Sequence, residues 1–265
     1  MPISVVIPVG AGREDNLRLA LYGLSLQTYQ DFEVVIVSND EQTAKQFSGH
    51  YVPNKSPNLG AVNRNAGAAL ANTDLLIFID SDVVLHRDAL LYYAEGFTNF
   101  RNRAILGLYD WLPPMVVTED DIEEWNALIN AELPLTADPP YHHNVGQDGR
   151  RPLFAMTHPD RLYCDYRRSL HCLSGNMGIS KSCFEHAGGF DEELSRGVDG
   201  AFGIALCDSG HSWSYDKRIV GGHLYHERYR PAMELNPFPH IMERWHSDDS
   251  WIGRRTWGKT WGWEE

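Results

Sequence analysis

Asp80-Ser81-Asp82 stands directly after the apolar run Leu75-Leu76-Ile77-Phe78-Ile79. Two carboxylates one residue apart, at the mouth of a buried strand, can hold a hard divalent cation. Mg²⁺ and Mn²⁺ favour oxygen ligands and keep positions open for substrate phosphates. A cation there could neutralise a diphosphate leaving group. The competing interpretation is that these acids are merely solvated, as acids at strand ends often are. The surrounding elements decide between the two.

Such a pair must sit on a strand end, because ligands of open α/β sheets collect outside the carboxyl ends of the strands. Ile3 to Ile7 is a β-branched run stopped by Pro8, which predicts a buried strand ending in a loop. Leu17, Leu21 and Leu24 recur at helical spacing within Asn16 to Leu26, with Asp15 as N-cap. Phe32 to Val37 predicts a second buried strand, closed by the turn formers Ser38-Asn39-Asp40. Asn58-Leu59-Gly60 predicts a turn, Asn63 to Leu70 a helix, Leu75 to Ile79 a strand and Asp88 to Phe97 a helix. Strands alternating with helices imply parallel strands joined by crossovers, hence a Rossmann-like α/β sheet.

After about residue 105 the pattern loosens. Pro113-Pro114 and Pro139-Pro140 punctuate a stretch of long loops, of the kind that forms lids and binding surfaces. One helix is expected from Thr118 to Ala131, with Thr118 as N-cap and Asp121 in its first turn. Periodic structure returns near Leu173 and runs to His226. Three segments follow: 1–105, 106–226 as the second half of the same domain, and 227–265 as a tail rich in tryptophan.

The chain of 265 residues is 43% hydrophobic and 22% charged, enough for one large domain. Its formal net charge of −13 argues against non-specific binding to nucleic acid or an anionic bilayer, both of which need a basic face. Cys164, Cys172, Cys183 and Cys207 form no C-x-x-C pair and fit buried or free thiols of a reducing compartment. The first residues lack the basic start of a signal peptide, and no apolar run approaches the ~20 residues that span a bilayer. A cytoplasmic chain is expected, with peripheral membrane contact and homo-oligomer formation left open.

At this point the residues resemble the inverting family 2 glycosyltransferases of the GT-A fold. Val5-Val6-Ile7-Pro8 is similar to the family's opening strand, and Leu24 to Tyr29 to its "S-L-x-x-Q" helix end. Asn58 to Gly67 resembles "N-x-G-x-x-x-A-R-N-x-G", and Phe78 to Asp82 resembles "F-L-D-x-D". Gly175-Asn176-Met177 and Gly188-Gly189-Phe190-Asp191-Glu192 resemble the later "G-x-N…G-G-F-D-E" block. Each piece is short, but their order and spacing over residues 3–226 are specific.

The resemblance implies a nucleotide-sugar donor, usually UDP-linked, and Mn²⁺ or Mg²⁺. Pro8, Val9, Asn39, Asp40, Arg64, Asp80 and Ser81 would line the donor site. Asp80 and Asp82 would meet the metal, and Arg64 the base or diphosphate, tasks that suit its planar fork. The bland alternative for Arg64 is a solvated helix face. The family closes its second strand with Asp-Asp-Gly-Ser, whereas this chain has Ser38-Asn39-Asp40-Glu41. Asn39 or a shifted Asp40 would have to read the base edge.

Inverting transfer is a single displacement, so a base must take the acceptor's proton. The family's "G-x-E-D" segment falls on Gly197-Val198-Asp199, and the resemblance makes Asp199 the base. Val198 replaces the glutamate. Asp191 and Glu192 compete for the role, and an N-cap on a helix from Gly200 to Leu206 is the structural alternative. His226 is the implied third metal ligand, with His223 as the alternative. Trp111, Asn176 and Asp191 are expected on the acceptor side, Trp111 alternatively as core. His142, His143 and His158 are expected at the surface or touching acceptor.

Trp245, Trp251, Trp257, Trp261 and Trp263 of the tail suit a flap, an oligomer contact or an interfacial anchor. Two other functions fit parts of the pattern. A sugar-phosphate nucleotidylyltransferase would use the thin Gly10-Ala11-Gly12-Arg13 segment, and a non-catalytic nucleotide-sugar or glycan-binding module would explain the glutamate lost at Val198. The expected activity is transfer of a hexose to a hydroxyl of a glycan or other acceptor, as in polysaccharide biosynthesis.

Overall fold

Ile3, Val5, Val6 and Ile7 are fully buried, as are Leu76, Ile77, Phe78 and Ile79. Strands buried on both faces belong at the centre of a sheet covered by helices on both sides. That is the architecture of the computed structural model, which describes residues 1–53, 59–99, 102–112, 116, 118–128, 172–194 and 197–226. The expected features of the histidines at 142, 143 and 158, of Cys164 and of the tail lie outside them.

In chain order the elements are β1 (Ile3–Val9), α1 (Glu14–Ser25), β2 (Phe32–Ser38), α2 (Glu41–Gln46), β3 (His50–Tyr51), α3 (Leu59–Leu70), β4 (Leu75–Ile79), β5 (Val83–Leu85), α4 (Ala89–Asn99), β6 (Arg103–Trp111), α5 (Glu119–Leu128), β7 (Asn176–Ser180), α6 (Lys181–His186), α7 (Val198–Asp208) and β8 (Ser212–His223). One sheet holds the strands in the order β3-β2-β1-β4-β7-β6-β8-β5. Its first four strands are parallel, the crossover arrangement expected from the alternation. β7 departs from it by running antiparallel to both β4 and β6.

Alternation along each strand divides the core between the two faces. Val6, Val37, Leu76 and Phe78 point to one side, against Ala61 and Ala68 of α3 and Phe202 of α7. Ile3, Val5, Ile77 and Ile79 point to the other, against Leu17 of α1 and Tyr93 and Phe97 of α4. The structure is the GT-A type: a curled, mostly parallel sheet flanked by helices.

Some boundaries differ from expectation for local reasons. β1 continues through Pro8 to Val9, because its ladder with β4 ends at Val6↔Phe78 while β2 pairs on to Val9. A proline is tolerated where a strand has lost one neighbour. α1 starts at Glu14, so Asp15 lies within the first turn rather than capping it; an acid there still complements the helix dipole. α2 was legible only as a turn. Asp40 caps it by accepting from the Thr43 amide at 2.7 Å. α5 carries the expected cap, since Thr118 Oγ1 accepts from the Asp121 amide at 3.2 Å and Asp121 accepts from the Thr118 amide at 2.9 Å. Cys172 and Cys183 are buried, and Cys207 is half-buried.

Candidate active site

β1 and β4 part after Val6↔Phe78, whereas β4 stays paired with β7 to Ile79↔Asn176. The split opens a cleft at the carboxyl end of the sheet, and Asp80, Ser81 and Asp82 form its floor. The Asp80 amide donates to the Gly175 carbonyl at 3.3 Å and the Val83 amide to the Asp80 carbonyl at 3.0 Å, which turns the chain sharply into β5. Ser81 and Asp82 are buried.

Arg64 reaches this floor from α3 and donates through Nη2 to Asp80 Oδ1 in an ion pair. Its guanidinium also lies 5.8 Å from the centre of the Phe190 ring, a cation–π placement. The solvated-face alternative fails, because only 14% of its side chain is exposed. Burial pushes the Asp80 carboxyl up, Arg64 pulls it down, and the nearby charges of Asp82 and Asp199 leave it above the usual carboxylate range.

Asp82 has a different environment. His226 Nε2 lies 3.1 Å from its Oδ2, and His223 Nε2 lies 3.6 Å from its Oδ1. Burial acts to raise its pKa, but His226, His223 and Arg13 outweigh burial and hold the carboxyl low. The histidines arrive because β8 pairs with β5 at Val83↔His223 and the Leu224 amide donates to the Asp82 carbonyl at 2.7 Å. One donor atom from each of Asp82, His223 and His226 lies within 4.8 Å of the others. Asp82 Oδ1 is buried without a hydrogen-bond partner among the described residues. An orphaned buried anion beside two imidazoles is a donor set that fits a divalent cation. Asp80 falls outside this trio, with one carboxylate oxygen on Arg64.

The third carboxylate of the cleft comes from α7. Asp199 Oδ1 accepts from the Ser174 amide at 3.2 Å and from the Ser174 hydroxyl at 2.5 Å. The helix starts at Val198, after Gly197 at φ 71°, so Asp199 sits inside the first turn and is not the N-cap. Beside the histidines, Trp111 ends β6 in register with His223, and their rings are 4.0 Å apart. Trp111 is half-buried.

A family model described as glycosyl transferase family 2 matches residues 4–185. The chain belongs to that family.

A protein of known structure can be laid over nearly all of it. The crystal structure of Staphylococcus aureus TarS residues 1–349 in complex with UDP-GlcNAc is similar at a TM-score of 0.66 and 16% identity, covering 98% of this chain and 71% of that one. The same TarS fragment with UDP gives a TM-score of 0.63 at 16% identity, covering 98% and 70%. A longer TarS structure gives 0.60 at 16% identity, and this chain spans 42% of its length. Likeness at this identity concerns the fold. No curated protein sequence matches the chain.

The remaining residues expected in a family 2 site fall in different places. Pro8 and Val9 are buried at the end of β1. Asn39 follows β2, and its Oδ1 is buried without a partner among the described residues. Asp40 is taken up by the cap of α2. Asn176, expected at the acceptor, is instead wholly buried: its Nδ2 donates to the Leu108 carbonyl at 2.7 Å, and its Oδ1 accepts from the Tyr93 hydroxyl at 2.9 Å. A side chain with both ends of its amide committed inside the sheet holds strands together and has nothing to offer a ligand. Asp191 lies in the Gly188–Glu192 turn, which Asn65 of α3 grips by donating to the Phe190 carbonyl at 2.8 Å and accepting from the Phe190 amide at 2.9 Å. Behind that turn is a cavity of about 450 Å³ lined by Phe190, Asp191, Glu192, Ala201 and Phe202.

Three further residues shape the cleft, none of them assigned a role there by the sequence. Ser174 holds Asp199, and Arg13 adds positive charge near Asp82. Gly175 presses on Asp80 so closely that a Cβ would sit 2.7 Å from Oδ2. The arginine after Gly10-Ala11-Gly12 was visible in the sequence, but nothing there pointed it at this cleft.

Proposed function

We propose that this glycosyltransferase moves a sugar from a nucleotide-sugar donor, UDP-linked, to a hydroxyl of a glycan or other acceptor with inversion. The observation that carries the proposal is the convergence of three carboxylates from two distant parts of the chain, Asp80, Asp82 and Asp199, with Arg64 and His226 on one cleft at the strand ends. The choice of UDP leans on TarS, whose crystal structures hold UDP-GlcNAc and UDP.

Each residue then has a task. Asp199 accepts the proton of the attacking acceptor hydroxyl; the two hydrogen bonds from Ser174 fix its orientation. Arg64 holds Asp80 in place beside the donor and leaves a positive charge facing the diphosphate region. Asn39 offers an unused amide oxygen to a nucleobase edge. Trp111 presents a half-buried ring to a sugar face. Asp82 and His226 would hold Mn²⁺ or Mg²⁺, which when bound offsets charge on the departing diphosphate oxygens.

The test is binding and product analysis with the full chain. Thermal melts with UDP, GDP and CDP sugars, with and without Mn²⁺, should give a metal-dependent rise for the UDP series. Turnover should release nucleoside diphosphate and invert the anomeric centre. Binding without turnover for any acceptor would leave a nucleotide-sugar binding module instead. Release of pyrophosphate would overturn the proposal.

A further inference from the structure

Phe190 is 2% exposed and stands where three elements of the cleft meet. Its ring centre is 5.4 Å from that of Phe78, edge to face at 86°. Phe78 belongs to β4, two residues before Asp80. Phe190 also packs on Phe202 of α7, with ring centres 4.7 Å apart. Phe202 follows Asp199 by three positions, so the two lie on one face of that helix. The Arg64 guanidinium of α3 lies 5.8 Å from the centre of the same ring. One side chain thus adjoins the elements that carry Asp80, Asp199 and Arg64.

Asn65, the residue after Arg64, fixes that ring in place. Its Nδ2 donates to the Phe190 carbonyl and to Glu192 Oε1, each at 2.8 Å, and its Oδ1 accepts from the Phe190 amide at 2.9 Å. Both backbone polar groups of Phe190 are therefore held by one side-chain amide. The clamp needs close approach, since a Cβ on Gly189, at φ 71°, would stand 2.9 Å from Asn65 Oδ1. A ring packed closely on several sides passes a shift of one neighbour on to the others.

We propose that Phe190, clamped by Asn65, is a positioning residue that sets the spacing between Asp199 and the donor-side pair Arg64 and Asp80. Neither Phe190 nor Asn65 touches substrate; both act through the three residues that do. The proposal rests on Asp199 being the base, and it adds what holds that base at reacting distance from the donor. Displacement needs the attacking oxygen and the anomeric carbon aligned at roughly 3–3.5 Å, and a misplacement of about 1 Å costs roughly a hundredfold in rate. The base and the donor-side pair sit on separate elements, so their separation is set by whatever packs between those elements. Phe190 is that packing group, and the Asn65 clamp ties it to the turn of α3 that bears Arg64.

Turnover per bound nucleotide in the full chain tests this. The probe is the UDP-sugar series of the thermal melts, with water as acceptor, so that donor hydrolysis is read as released UDP. Asn65→Ala removes the clamp and Phe190→Leu removes the ring. Each should lower kcat by roughly tenfold to a hundredfold, while the dissociation constant for the UDP sugar stays within about threefold. The double variant should be little slower than Phe190→Leu alone, because both changes break one linkage. Normalising to bound nucleotide keeps a poorly folding variant from imitating the effect. A purely structural part would lower the melting temperature and leave kcat per bound nucleotide unchanged, and that result overturns the proposal. If Asp199→Asn still abolishes hydrolysis in that case, the transferase proposal stands. If Asp199→Asn hydrolyses donor at the unaltered rate, the role of the base and this proposal fall together.

Discussion

Arg64 of α3 donates to the carboxylate of Asp80, sixteen residues later in the chain, across the floor of the cleft. The pair is shielded but not sealed, since 35% of the Asp80 side chain remains exposed. Removing the arginine strands a carboxylate that burial and two neighbouring acids already push toward its neutral form. Arg64→Ala should cost about 1–2 kcal/mol of stability, a buried-pair loss reduced by solvent access. It should also weaken donor binding. Arg64→Lys should recover the stability better than the binding, because a lysine lacks the planar fork. Urea denaturation and nucleotide titration measure the two effects separately.

Gly175 lies on the other side of Asp80. A Cβ there would stand 2.7 Å from Oδ2 and 3.2 Å from Cγ. Gly175→Ala should displace the carboxylate from Arg64 and lower donor affinity by roughly tenfold, about 1.4 kcal/mol. The melting temperature should fall little, because the clash is with a side chain that can swing into the cleft. A donor affinity equal to that of the unaltered protein would show that Asp80 is not needed in its observed position.

Asp199→Asn keeps an acceptor oxygen for Ser174 while removing the basic group. Turnover should drop by about 10²–10⁴-fold, with the nucleotide dissociation constant unchanged within about twofold. Stopped-point assays of nucleotide release, paired with equilibrium binding, check this. Undiminished turnover would move the proton transfer to another acid, with Asp191 and Glu192 next to be replaced.

Away from the cleft, Glu33 accepts from the Ser4 hydroxyl at 2.6 Å and from the Asn72 amide and side chain at 2.7 and 2.8 Å. Burial acts to raise its pKa, but these bonds outweigh burial and hold it below the ordinary 4.5. A carboxyl depressed in the folded state contributes stability that is complete above the unfolded value and disappears as pH falls through the folded one. Glu33→Gln should therefore lose stability near neutral pH and show a shallower decline below about pH 4.5. Denaturation curves across pH 3–7 for both proteins, compared at each pH, give the difference directly.

Much of the donor half was legible because its signals are local. The runs Ile3 to Ile7, Phe32 to Val37 and Leu75 to Ile79 are mostly apolar, and the structure makes each a strand of one sheet, the first and third fully buried. Thr118 and Asp121 announced a helix start and make one. Structural uses unseen in the sequence lie where a polar residue has two possible tasks. Asp40 was free in the sequence to meet a nucleobase, yet it caps a six-residue helix that has no periodic signal of its own. Asn176 sat in a motif that suggested ligand contact, yet the β7 position it occupies turns its amide toward Tyr93 and Leu108.

By itself, the order of residues determined that acids would stand where a buried strand stops, because five consecutive apolar residues must be covered and the two aspartates follow directly after them. It also determined the family, through short motifs in a fixed order. Only the tertiary structure decided which groups meet those acids. His223 lies 141 positions after Asp82, Arg64 arrives from a helix on one face of the sheet, and Asp199 from another helix. Strand pairing such as Val83↔His223 sets these meetings, and pairing between distant segments is governed by shape and burial summed over the whole sheet, which no local spacing of residues records.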